Sequence, residues 1–146
     1  MLKVLIVEDD LMIADMTEEF LVGSGYSVCG IARTVPKAIS LAKSHLPDLA
    51  IIDLRLADGG IGTDVAAELN RLKRIGVLFA SGNITQFELT SADGDASLVK
   101  PYLIKDLLCS LSIISEIVLT GHSSLPHPRG FKLLKPAIAD RETFHA

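Results

Sequence analysis

The 146-residue sequence has only two cysteines, Cys29 and Cys109, far apart and neither in a CxxC pair. That gives no disulfide framework and fits two buried thiols in a reducing compartment. A basic surplus is missing too. Fourteen Lys and Arg face 18 Asp and Glu, a net charge of −4, which argues against a specific or general nucleic-acid binder. No apolar run can span a membrane, because the longest region, Leu103 to Leu119, is broken by Lys105, Asp106 and Glu116. Nor does the N-terminus read as a signal peptide, since Glu8, Asp9 and Asp10 follow its first apolar stretch at once. Repeats and low-complexity segments are absent. The length holds one core and at most a tail. The expectation is a cytoplasmic single domain.

What is present is an alternation. Leu2–Val7, Val28–Ala32, Leu49–Ile52, Gly76–Ala80 and Ala96–Val99 are short runs rich in Val, Ile, Leu and Ala. They are too short for helices and continuously apolar, as strands buried on both faces must be. Between them lie helix-period stripes: Ile13, Met16, Thr17, Phe20 and Leu21; then Val35, Ala38, Ile39 and Ala42; then Val65, Ala66, Leu69 and Leu72. Gly23 and Gly25 stop the first, Pro36 suits the first turn of the second, and Thr63 or Asp64 starts the third. Asp10 reads as the cap of the first helix. The segment Ile84–Thr90 is a weak fourth helix. Alternation of this kind implies a parallel sheet covered on both faces.

In such a sheet ligands bind beyond the carboxyl ends of the strands, so what each strand ends on carries the information. Strand one ends in Glu8-Asp9-Asp10, strand three in Asp53, strand four in Ser81-Gly82-Asn83 and strand five in Lys100-Pro101. Glu8, Asp9 and Asp53 repel one another unless a cation joins them. Mg²⁺ fits, with waters and a phosphoryl group completing its octahedron. Lys100 offers a point charge, Ser81 a hydroxyl donor and Gly82 a close backbone approach. A carboxylate beside a metal and a lysine is a plausible nucleophile toward phosphorus.

Four motifs in order, LIVEDD at 5–10, IIDLRL at 51–56, FASGN at 79–83 and LVKP at 98–101, make residues 1–120 resemble the receiver domain of two-component response regulators. The resemblance implies a flavodoxin-like (CheY-like) doubly wound α/β fold with five parallel strands in the order 2-1-3-4-5. It implies Asp53 as phosphoacceptor, with Mg²⁺ held by Asp9, Asp53, the main-chain carbonyl of Arg55 and Glu8 through water. Ser81 matches the switch hydroxyl, Lys100 the family lysine and Pro101 the cis-bonded proline. The donor would be a phosphohistidine on a histidine kinase or phosphotransfer protein, and the output a downstream protein. Two departures stand out: Ser97 occupies the place of the usual aromatic switch residue, and the stretch from Ser81 to Lys100 is short. FASGN is similar to the FATGY-type motif of an alphaproteobacterial subgroup, with Asn83 in place of its aromatic.

Residues 121–146 carry 4 Lys and Arg against 2 Asp and Glu, whereas residues 1–120 carry 10 against 16. This shift marks a C-terminal tail, too short and proline-broken for a helix-turn-helix effector. Along the last helix Leu103, Ile104, Leu107, Leu108, Leu111, Ile114, Ile117 and Val118 span an arc of about 180°, against about 100° for a core-facing helix. The surplus calls for a homodimer contact or a cover by the tail, whose Leu125, Phe131, Leu133, Leu134 and Ile138 are apolar. Two alternatives stay open. One is a degenerate receiver that binds partners without phosphorylation. The other is a small phosphatase forming an aspartyl-phosphate, against which stands Arg55, where such enzymes carry a second Asp.

Overall fold

Runs that are apolar at every position need cover on both faces, and the fold supplies it with two helical layers. The computed structural model describes residues 1–82 and 87–136. Its elements are β1 (Lys3–Val7), α1 (Leu11–Gly23), β2 (Ser27–Ala32), α2 (Val35–His45), β3 (Leu49–Ile52), α3 (Gly62–Leu72), β4 (Gly76–Ser81), β5 (Ala96–Val99), α4 (Ile104–Thr120) and β6 (Phe131–Leu133). The sheet order is β2-β1-β3-β4-β5-β6, parallel through β5. Successive side chains point to opposite faces. Leu5, Val7, Ala50, Ile52, Val77 and Phe79 therefore join one core with residues of α2 and α3. Val4, Ile6, Leu49, Ile51, Leu78 and Leu98 join the other with residues of α1 and α4.

The expected order 2-1-3-4-5 is present, but the sheet has six strands rather than five. β6 comes from the tail and pairs antiparallel with β5, matching Ala96 with Leu133, Ser97 with Lys132 and Leu98 with Phe131. Without it β5 would be an edge strand with unpaired backbone groups. Phe131 and Leu133 pack on the α1/α4 core, while Leu134 reaches the other one. Three residues of alternation are too few to read as a strand in sequence. Along α4 the tail bonds to the side opposite the wide apolar arc: the Cys109 thiol donates to the Pro126 carbonyl at 3.5 Å, and Ser123 donates to Glu116. Ile138 lies outside the described residues.

Asp10 caps α1, accepting from the backbone N–H groups of Met12 at 3.0 Å and Ile13 at 3.3 Å. α3 starts earlier than expected, at Gly62, with no side-chain cap. Close packing takes the place of a cap there, since the Gly62 N–H donates to the Leu54 carbonyl at 2.9 Å. Of the expected weak helix at 84–90, residues 84–86 lie outside the described residues and 87–90 are not helical. Both cysteines are free and half-buried rather than fully buried. Among the described residues no helix is long and apolar enough to cross a membrane.

Candidate functional site

Parallel strands deliver their carboxyl ends to one edge of the sheet, and the register decides which residues meet there. The Asp53 N–H donates to Val7 O at 2.8 Å, the Glu8 N–H to Ala32 O at 2.9 Å and the Lys100 N–H to Ser81 O at 3.2 Å. These bonds tie each strand end to its neighbour. One carboxylate oxygen from each of Glu8, Asp9 and Asp53 lies within 4.8 Å of the others. Lys100 reaches in from β5, with its Nζ 3.2 Å from Asp53 Oδ2 and in ion-pair contact with Glu8. The Lys100–Pro101 bond is cis.

Ser81 closes β4 and is buried, whereas Gly82 is exposed. Among the described residues outside its chain neighbours, a Cβ at Gly82 would meet no atom within 4 Å. Arg55 follows Asp53 by two residues, and its N–H donates to Asp53 Oδ1 at 3.5 Å. Its backbone is fixed by a bridge to Ile61 and by the Leu56 N–H donating to Gly60 O at 2.9 Å. Asn83, where FASGN departs from FATGY, lies outside the described residues.

Glu8 is 6% exposed, and burial pushes its carboxyl up from 4.5 to about 7; the neighbouring Asp53 carboxylate adds to the rise, and Lys100 only partly offsets it. Burial works against the charge of Lys100, but hydrogen bonding and charge from Glu8 and then Asp53 outweigh it and raise the ammonium. One cation serving several carboxylates leaves the cluster with uncompensated negative charge, and the donors are all hard oxygens. That donor set fits a divalent cation of the Mg²⁺ class.

Metal-free protein should therefore lose stability as pH rises. The unfolded Glu8 carboxyl titrates near 4.5 while the folded one keeps its proton to about 7. Between those values the folded state binds the extra proton, so raising pH across the window favours unfolding. Asp48, though partly desolvated, is held below the usual carboxylate range by the Lys3 N–H and by Lys73, so it acts below the window. Urea unfolding in EDTA should show a loss on the order of 2 kcal/mol across it. Glu8→Gln should flatten the curve; an unchanged slope would refute the assignment.

Two neighbours were not singled out in the sequence. Phe87, in the β4–β5 connection, lies under Arg55, whose guanidinium carbon is 5.8 Å from the ring centroid. Tyr102, just after Pro101, lines a groove of about 520 Å³ with Ile13, Met16, Phe20, Lys100 and Ile104. Neither belongs to a hydrophobic period, so only the fold brings them to the site. Ser97 is buried on β5, opposite Phe79 of β4 in register.

A doubly wound parallel sheet with three carboxylates and a lysine at its carboxyl edge gathers its charged groups where such folds bind ligands. Residues 4–112 match the family described as the response regulator receiver domain, and the chain belongs to it. Among curated relatives it is 33% identical over 102 residues to the phyllosphere-induced regulator PhyR of Methylorubrum extorquens, covering 68% of this chain and 38% of the relative. It is 34% identical over 115 residues to the transcriptional regulatory protein PdtaR of Mycobacterium tuberculosis, covering 76% and 55%. The chain thus spans less than two thirds of either relative. A CheY-like receiver domain protein from Methanospirillum hungatei superposes with a TM-score of 0.74 at 27% identity, covering 83% of this chain and 98% of that one. The response regulator PhyR from Brucella abortus gives 0.64 at 25% identity, covering 81% and 46%.

Proposed function

We propose that this chain is a phosphorylation-dependent switch in which Asp53 accepts a phosphoryl group from a phosphohistidine of a sensor kinase or phosphotransfer protein. The observation that carries this reading is Lys100, which bridges the Glu8 and Asp53 carboxylates from the far strand. An Asp53 oxygen attacks phosphorus in line. The new O–P bond forms as the N–P bond breaks, and the imidazole nitrogen leaves with the electron pair and takes up a proton. Lys100 and the Ser81 hydroxyl neutralise and orient the transferring oxygens, with the Gly82 backbone alongside. Asp9, Asp53, the Arg55 carbonyl and, through water, Glu8 would hold Mg²⁺, which supplies charge neutralisation on the phosphoryl group when bound.

In this reading the chain acts on no outside substrate and catalyses only its own phosphorylation and dephosphorylation. The groove beside Lys100 supports a protein donor. Met16 and Phe20 line it and stand exposed, and a helix seated there would bring a histidine toward Asp53. In this reading residues 1–120 carry the acceptor site, the segment from 121 onward adds a strand to its sheet, and a downstream protein reads the switched surface.

Incubation with acetyl phosphate and Mg²⁺ should add one phosphoryl group, read by intact mass. Hydroxylamine should remove it, as it does acyl phosphates, and EDTA should prevent it. A chain that stays unlabelled under saturating donor and Mg²⁺ is not a phosphoacceptor.

A further inference from the structure

β6 is a small element in an exposed place. It is three residues long, and residues 122–130, which carry Pro126 and Pro128, join it to α4 without regular structure. The Val99 N–H donates to Gly130 O at 3.2 Å, and the Leu134 N–H to Asp95 O at 3.0 Å. Hydrogen-bonded pairs alternate along an antiparallel ladder, so the central bonded pair is Ser97 with Lys132. A strand this short, held at the sheet edge, opens readily compared with the core strands.

Its far end is tied to the phosphoryl site through the β4–β5 connection. The Ser91 N–H donates to Lys135 O at 3.0 Å. Phe87, Leu89 and Leu134 pack against the same core, and Phe87 sits under Arg55, two residues from Asp53. The ring under Arg55 and the residue that follows β6 thus rest on one shared core, and the β4–β5 connection bonds directly to the tail. A phosphoryl dianion on Asp53 gives the Arg55 guanidinium a full negative charge to approach, in competition with the weaker attraction of a ring face.

We infer that β6 is a detachable intramolecular cap on the β5 edge, and that phosphorylation of Asp53 loosens it through Arg55 and Phe87. The resting occupant of the edge is the chain's own Phe131–Leu133 segment, already seated in register. When it leaves, the backbone groups of β5 that now pair with it are freed. The inference rests on the phosphoacceptor reading, and the test keeps the two apart.

The experiment is hydrogen exchange read by mass spectrometry on the full chain, in acetyl phosphate and Mg²⁺, with phosphoryl occupancy read from the same sample. The amides that the ladder pairs, those of Lys132, Leu134, Ser97 and Val99, should exchange at least about tenfold faster in the labelled protein, while those of β1 and β3 should not change. Phe87→Leu keeps an apolar side chain and loses the ring face; it should label as the wild type does, with the β6 response reduced to within about twofold. Lys132→Pro alters an exposed position and removes a ladder donor, so Val99 should exchange rapidly even without label. A labelled wild type with β6 still protected, or a Phe87→Leu protein responding like the wild type, overturns the inference alone. Absence of label overturns the phosphoacceptor reading and this one with it.

Discussion

Asp53→Asn should lower phosphoryl labelling by more than about 100-fold, because an amide oxygen is no nucleophile toward phosphorus at neutral pH. The neighbouring carboxylates are poor substitutes. Glu8 is engaged by Lys100 and holds its proton up to about 7, and Asp9 belongs to β1's end rather than β3's. The fold should survive, since the tie from residue 53 to β1 is the backbone bond to Val7. A second effect follows from charge. Asp53 raises the Glu8 carboxyl both through hydrogen bonding and through its negative charge, so the variant should titrate Glu8 lower. Intact mass after acetyl phosphate treatment reads the first effect, and carboxyl carbon NMR of Glu8 the second. Labelling at the wild-type level would move the acceptor elsewhere.

Gly62→Ala should be among the most destabilising single changes in the chain. A Cβ at residue 62 would lie 2.2 Å from the Asp53 carbonyl oxygen, 3.0 Å from its carbonyl carbon and 2.8 Å from Ile52 Cγ2. The first two are backbone atoms of the β3 end and cannot rotate aside as a side-chain tip would. Overpacking of this kind costs about 3 kcal/mol, against about 1 kcal/mol that alanine gains over glycine in a helix. A net loss of about 2 kcal/mol lowers Tm by roughly 4–8 °C in a chain of this size. Because the displaced atoms belong to Asp53 itself, labelling should slow as well. Gly23→Ala is the control: among the described residues, its own helix backbone and chain neighbours aside, nothing lies within 4 Å of its Cβ, so Tm should hold or rise slightly. Equal Tm values for the two variants would refute the packing argument.

Continuous apolar runs and helix-period stripes made the five parallel strands and their covering helices legible, because burial on two faces leaves a local imprint. The strand ends were legible for the same reason. Once the runs are placed, Glu8, Asp9, Asp53, Ser81 and Lys100 fall at the carboxyl edge by count alone. The start of α3 was misread, since Thr63 and Asp64 look like caps while the closeness of Gly62 to the Asp53 carbonyl is invisible without the third dimension. The weak helix after Ser81 was also misread over residues 87–90, where Phe87 and Leu89 point into a core that is not continuous in sequence.

The sequence by itself determined the layered sheet and the set of charged groups at its edge, because alternation and strand length are local properties. Tertiary structure alone decided that Lys100 bridges Glu8 and Asp53, that Arg55 lies on Phe87, and that a three-residue piece of the tail becomes the sixth strand. Each of these depends on contacts between residues distant in the chain, where pairing and packing rather than periodicity choose the partner.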